Sequence, residues 1–228
     1  MLTAISDDLH TAWIDTTFLG LKFGRRVTVL RLPGGALWVH SPVPLTPELA
    51  AAVDALGPVG HIVAPNLMHH TSVPQWAAAY PEAVVHAPAG IAGKNKAVGE
   101  HRVLGAPDPA WGGALTPLPL QGLPAFDETL FLHEASGTLI SADIALAIPP
   151  ELKHWWTQMY LRMAGIHGQL VGCSLVHKAT MKDKPAARAS LERILEPAWD
   201  RLLVSHSSVV DVPDVKDLLA EAWAWVPR

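Results

Sequence analysis

The chain has 228 residues, of which 50% are hydrophobic and only 17% charged, a composition that excludes intrinsic disorder and gives one domain enough material for a sizeable core. Its formal charge of -4 and lack of any basic run exclude the electrostatic footprint of a nucleic-acid binder. Cys173 is the only cysteine, which excludes an internal disulfide and a Cys-rich zinc site.

At the N-terminus, Asp7 and Asp8 break the cationic-then-apolar layout of a secretion signal, so a cytoplasmic protein is the expectation. Residues 13–19 read as a first strand, punctuated by Gly20 and Gly24. Residues 26–32 alternate β-branched and polar side chains as a second strand. Pro33-Gly34-Gly35 makes a tight turn into a third over 36–40, which predicts an antiparallel meander. Thr46 as N-cap and Pro47 at the first helical position open a helix that stops at Gly57-Pro58. A strand over 61–64 runs into Pro65-Asn66 and the adjacent His69 and His70. A helix over 73–80 and a strand over 83–86 follow. This alternation predicts parallel strands.

Residues 88–116 are rich in Ala, Gly and Pro and resist assignment. Gly93-Lys94-Asn95-Lys96 lacks the spacing of a phosphate loop. Short strands are predicted over 118–121, 128–133 and 138–141, the last leading into Asp143. Residues 155–176 form the longest apolar stretch, but Gln158, Arg162, His167, Gln169 and three glycines argue against a membrane span. The expectation is a Trp/Met-rich helical insertion at about 151–180, either buried or lid-like, in an otherwise single domain spanning 1–228. A helix over 185–195, a strand over 201–205 ending at His206, and a helix over 214–225 complete the chain.

The sequence holds 12 histidines, and what matters is whether a few of them converge. Three predicted strand ends carry ligand-type residues, namely His69/His70, Asp143 and His206. Ligands of open α/β sheets bind where strands end. Up to three imidazoles and one carboxylate suit zinc, iron or manganese with one position left for water. His40 ends its own strand and is a candidate to support that shell or to accept a proton. His86 lies at another strand end near the rim. His133, before Glu134 and a turn, is expected to face solvent.

The order of elements and these strand ends resemble the metallo-β-lactamase superfamily, whose His-x-His-x-Asp-His motif falls on Pro65, Leu67, His69 and His70. Its bridging aspartate matches Asp143 and its last histidine His206, and the resemblance covers about residues 27–210. Leu37-Trp38-Val39-His40-Ser41-Pro42, Ala64-Pro65-Asn66 with His70, and Trp76 with Tyr80-Pro81 resemble an uncharacterised branch, a domain family of unknown function. The resemblance implies an αββα sandwich of two mixed sheets flanked by helices.

It also implies that the first metal position is lost, with Pro65, Leu67 and Leu123 in ligand places, and that a mononuclear second site remains. Its metal ligands would be His69, His70, Asp143 and His206, with His69 and His40 as catalytic residues around one divalent ion, zinc before iron or manganese. The expected function is metal-dependent hydrolysis of a small ester, lactone or related substrate, with no nucleic-acid or membrane partner. The alternative is a non-catalytic ligand-binding or scaffold protein on a degenerate fold. Trp155, Trp156, Met159, Tyr160 and Met163 would then cover the pocket or join two copies as a homodimer through residues 155–176.

Overall fold

The structure is a computed structural model and describes residues 2–18, 20–22, 24–147, 154–206 and 209–227. Its first sheet is built from β1 (Leu9–Ile14), β2 (Arg25–Arg31), β3 (Leu37–His40), β4 (Val59–Val63) and β5 (Val84–Ala87), flanked by two-residue strands Thr3–Ala4 and Arg102–Val103. β1, β2 and β3 pair antiparallel, whereas β3, β4 and β5 run parallel. The parallel half requires crossovers, supplied by α1 (Pro47–Asp54) and α2 (Val73–Ala79). Thr46 caps α1 by accepting the N–H of Leu49 at 3.2 Å.

The meander begins earlier than the sequence pattern implies. β1 starts at Leu9, in register with Leu30, while Thr17–Phe18 pairs with Leu21–Lys22 in a separate small hairpin. Pairing to β2 fixes β1, and that long-range contact leaves little trace in local alternation. Leu19, which closed the predicted first strand, lies outside the described residues.

The second sheet contains β6 (Thr116–Pro119), β7 (Thr129–His133), β8 (Thr138–Ile140) and β9 (Arg201–Leu203), with the two-residue strand Val209–Val210 at its edge. β8 and β9 are parallel and the other pairs antiparallel, so both sheets are mixed. The sheets meet face to face over Leu30, Trp38, Val63, Phe131, Ile140 and Leu203. Trp38 stands edge-on to Phe131 with ring centroids 4.9 Å apart. The outer face of the first sheet packs on Val53 of α1 and on Trp76 and Val73 of α2.

Between β8 and β9 come α3 (Trp155–Met163), α4 (Leu175–Thr180) and α5 (Lys184–Leu195). Leu191 and Ile194 of α5 cover the outer face of the second sheet, as does Leu219 of the C-terminal helix α6 (Val215–Ala222). Each sheet thus has one face on its partner and one on helices, the four-layer αββα arrangement.

The 151–180 segment holds two helices, with Val171–Gly172 pairing Leu146–Ala147 between them. Its first residues, 151–153, fall outside the described set. Leu161, Ala164 and Ile166 form a small cluster with Leu146. Thr157 accepts the N–H of Lys22 at 3.1 Å, which ties α3 to the small hairpin. Trp155 and Met163 remain 71% and 69% exposed. Among the described residues no helix is long and apolar enough to cross a membrane.

Candidate metal centre

β4 ends at Val63, and the chain turns through Pro65-Asn66. Asn66 is wholly buried, and its Oδ1 accepts the backbone N–H groups of Met68 and His69, each at 2.9 Å. A side-chain oxygen in that role fixes a tight Asx turn. The same side chain donates through Nδ2 to Asp143 Oδ2 at 2.7 Å. One asparagine therefore sets both the loop that presents His69 and the carboxylate that faces it.

Ser41 follows β3 with φ +55°, and its N–H donates to the Val63 carbonyl at 3.0 Å. That conformation costs a non-glycine residue about 1–3 kcal/mol and places Oγ 2.7 Å from His69 Nδ1. On the opposite wall, Glu128 Oε1 accepts from Ser141 Oγ and from the N–H groups of Ala142 and Asp143, at 2.7, 2.7 and 3.0 Å. The turn after β8 is held by these bonds, with Asp143 at its end. His206, just past β9, donates Nδ1–H to the Gly24 carbonyl at 2.8 Å. A carbonyl can only accept, so this bond settles which nitrogen of His206 carries the proton.

These supports aim three side chains at one point. His69 Nε2 lies 3.2 Å from His206 Nε2 and 3.3 Å from Asp143 Oδ2, and His206 Nε2 lies 3.3 Å from Asp143 Oδ1. Among the described residues they form the one group of three or more His, Cys, Asp or Glu side chains whose ligand atoms approach within 4.8 Å. An ion with bonds of about 2.0–2.1 Å in tetrahedral geometry sets its donors about 3.3–3.4 Å apart. The donor set and its spacing fit one divalent ion with a position left open.

The charges agree with that reading. Burial alone would raise Asp143, but the charges and hydrogen bonds of His69 and His206 outweigh it and hold the carboxyl well below its usual range. Burial drives His69 down to about 4, against the pull of Asp143, so its ring is neutral at pH 7. For His206, burial is outweighed by the hydrogen bond and charge of Asp143 and by the Gly24 carbonyl, so its pKa is raised. Asp143 thus presents an anionic carboxylate to the two Nε2 atoms, the charge that a cation needs there. Glu128 is pushed up by burial and by the Asp143 charge, with the donors around it opposing.

The structure thus brings together His69, Asp143 and His206. It places His70 elsewhere: half-buried, with Nδ1 3.2 Å from Asn95 Nδ2. The Asx turn at Asn66 aims His69 inward, and the neighbouring side chain leaves on a different heading. His40 is wholly buried behind the site, stacked on Trp38 at 5.3 Å, and among the described residues neither ring nitrogen has a hydrogen-bond partner. Burial, and then the charge of His69, lower His40 to about 3. His86 is buried too, its Nε2 3.0 Å from Nδ1 of His61. His133 does not face solvent as expected. It is 4% exposed, with Nδ1 2.7 Å from Ser136 Oγ, because β7 is an interior strand of its sheet. Leu67 and Leu123, at the two leucine-substituted ligand places, pack into apolar clusters.

Sequence reasoning missed Ser41, Asn66, Glu128 and the Gly24 carbonyl, all of which hold His69, Asp143 and His206 in place. Asn66 left the clearest signal, since an Asx turn is what Pro65-Asn66 at a strand end favours. The partners of the others come from segments far away in the chain.

A family described as a domain of unknown function (DUF4336) matches residues 17–91, about a third of the chain. No curated protein matches the sequence. Among solved structures, a metallo-β-lactamase from Pontibacter korlensis superposes with a TM-score of 0.66 at 13% identity, over 99% of this chain and 98% of that one. The DIM-1 metallo-β-lactamase gives 0.65 at 10% identity, over 99% and 97%. The metal-soaked Flv1 flavodiiron core from Synechocystis sp. PCC6803 gives 0.71 at 11% identity, over 99% of this chain and 60% of that one. At these identities the likeness is one of fold.

Proposed function

We propose that this chain, which has the metallo-β-lactamase fold, is a metal-dependent hydrolase with a mononuclear centre held by His69, Asp143 and His206. The observation that carries this reading is the convergence of two Nε2 atoms and a carboxylate at 3.2–3.3 Å, with Nδ1 of each ring already bonded to an oxygen behind it. In the tautomer that donates Nδ1–H to Ser41, His69 turns its Nε2 lone pair to the same point as His206. Rings anchored in this way are the usual support of metal-binding histidines.

A bound zinc, iron or manganese ion would supply a Lewis acid and a water acidified to a pKa of about 7. The chain does the rest. Asn66 and the Asp143 amide contacts to Glu128 orient the carboxylate, Ser41 and Gly24 orient the imidazoles, and a small ester or lactone would take the position left open on the ion. His69, neutral and part of the donor set, serves as a ligand. His40, out of reach of solvent, packs behind it.

Elemental analysis tests the reading. Protein loaded with zinc and desalted should carry about one ion per chain, and His69→Ala and His206→Ala should carry none. His70→Ala should retain the ion, since its ring points to Asn95. Zinc kept by either of the first two variants would overturn the ligand assignment. The metal-loaded protein is then screened on small esters and lactones, and turnover lost in both ligand variants would support hydrolysis.

A further inference from the structure

Arg25 opens β2, one residue after the Gly24 carbonyl that holds His206. Its Nη1 donates to Thr71 Oγ1 at 3.2 Å and its Nη2 to the Pro42 carbonyl at 3.4 Å. Thr71 follows His69 by two residues, and Pro42 follows Ser41, the partner of His69 Nδ1. The guanidinium is therefore bonded to both segments that position His69 and joined through the backbone to the one that positions His206.

A guanidinium offers five N–H donors. Here the bonds to Thr71 and Pro42 are to neutral oxygens, and among the described residues the buried Nε has no hydrogen-bond partner. Among the described residues no carboxylate forms an ion pair with Arg25. Yet its charge acts on His69, His70 and His206, and the charge of Asp143 acts on it. Lys94 adds a second positive charge near His70.

Occupied by a divalent ion, the site would hold three positive charges, counting Arg25, against one negative charge on Asp143. Both ligand imidazoles would be neutral, and Glu128 is buried and driven towards its neutral form. Partly buried charge without a counter-ion is costly, and a planar guanidinium matches a carboxylate through paired N–H groups.

We propose that Arg25 holds an anionic group of the ligand beside the metal, so that the substrate is a small organic anion, an ester or lactone that carries a carboxylate. This rests on the metal-centre reading and deepens it. It makes Arg25 a specificity-determining residue, and it requires metal and anion to bind cooperatively.

Benzoate is the probe, and the full-length protein is used throughout. Zinc affinity is measured by competition with a chromophoric chelator, with and without saturating benzoate, in the wild type and in Arg25→Gln. Benzoate should tighten zinc binding of the wild type by about tenfold, a common size for coupling between two ligands, and should have no effect in Arg25→Gln. Without benzoate, Arg25→Gln should bind zinc more tightly than the wild type, because a like charge is gone. A merely structural arginine would give the opposite sign. Equal benzoate effects in the two proteins, or none in the zinc-loaded wild type, would overturn the proposal.

Should Arg25→Gln fail to fold, phenylglyoxal modification of the wild type decides the matter. Benzoate should protect Arg25 in the peptide map, and equal modification with and without it overturns the proposal. A wild type that binds no zinc sinks the metal-centre reading instead. Calorimetry of benzoate with the metal-free wild type and Arg25→Gln then judges Arg25 alone: binding lost in the variant supports it, and no binding by the wild type overturns it.

Discussion

Asn66 shows how much of the centre depends on one neutral side chain. It closes the turn before His69 through two backbone amides and gives its remaining donor to Asp143. Asn66→Ala should lower zinc affinity by about 10–100-fold, the range typical for groups that orient ligands. It should also lower stability by about 1–3 kcal/mol, as buried amides lose their acceptor. Chelator competition and urea unfolding measure the two effects, and unchanged zinc affinity would remove Asn66 from the support of the site. The same turn separates two histidines that are neighbours in sequence. A resemblance carried residue by residue made both His69 and His70 ligands. The backbone path after Asn66 turns His69 towards Asp143 and His206 and leaves His70 with Asn95.

At the scale of elements, the segment entering β2 is the part of the site least expected from the sequence. Gly24 has φ +65°, and a Cβ there would run into the Trp13 ring. Its carbonyl holds His206, and Arg26 N–H donates to the Ser205 carbonyl at 2.8 Å, joining the first sheet to the end of β9. Gly24→Ala should therefore lose about 1–3 kcal/mol of stability through backbone strain and weaken zinc binding with it. Thermal melts and chelator competition on the same protein would show both, and a stable variant with normal zinc affinity would refute the coupling. Thr46→Ala is the contrasting case. Loss of its cap on α1 should cost about 1 kcal/mol and leave zinc affinity unchanged, because α1 contributes nothing to the donor group.

Across the whole molecule, several imidazoles are buried neutral, and this sets the acid limit of the fold. Burial lowers His86 to about 4, with the charge of His61 adding to it, and burial lowers His177 to about 4 against the pull of Asp143. In the unfolded chain both titrate near 6.5. Between those values the unfolded state binds more protons than the folded one, so stability is full above about pH 6.5 and falls as pH drops towards 4. Each should lose about 2 kcal/mol between pH 7 and pH 5. Urea unfolding at the two pH values measures the total, and His177→Gln should show a shallower fall than the wild type. An identical fall in that variant would mean that His177 is already charged in the native state.

The sequence alone determined the elements whose signals are local. The cap and proline of α1, the alternation from α1 to β5, and the apolar strands of the second sheet are written in neighbouring residues. The likeness of the strand ends to the metallo-β-lactamase pattern then implied the αββα layers and offered His69, His70, Asp143 and His206 as candidate ligands. Tertiary structure decided what depends on distant partners. Pairing with β2 moved β1 back to Leu9, and burial within its sheet took His133 out of solvent. The Asn66 turn chose between two adjacent histidines, and the entry to β2 brought Gly24 and Arg25 beside a donor group contributed from far along the chain. Periodicity and capping act over a few residues, whereas the direction of a side chain and the charge around it are set by whatever the fold packs against it.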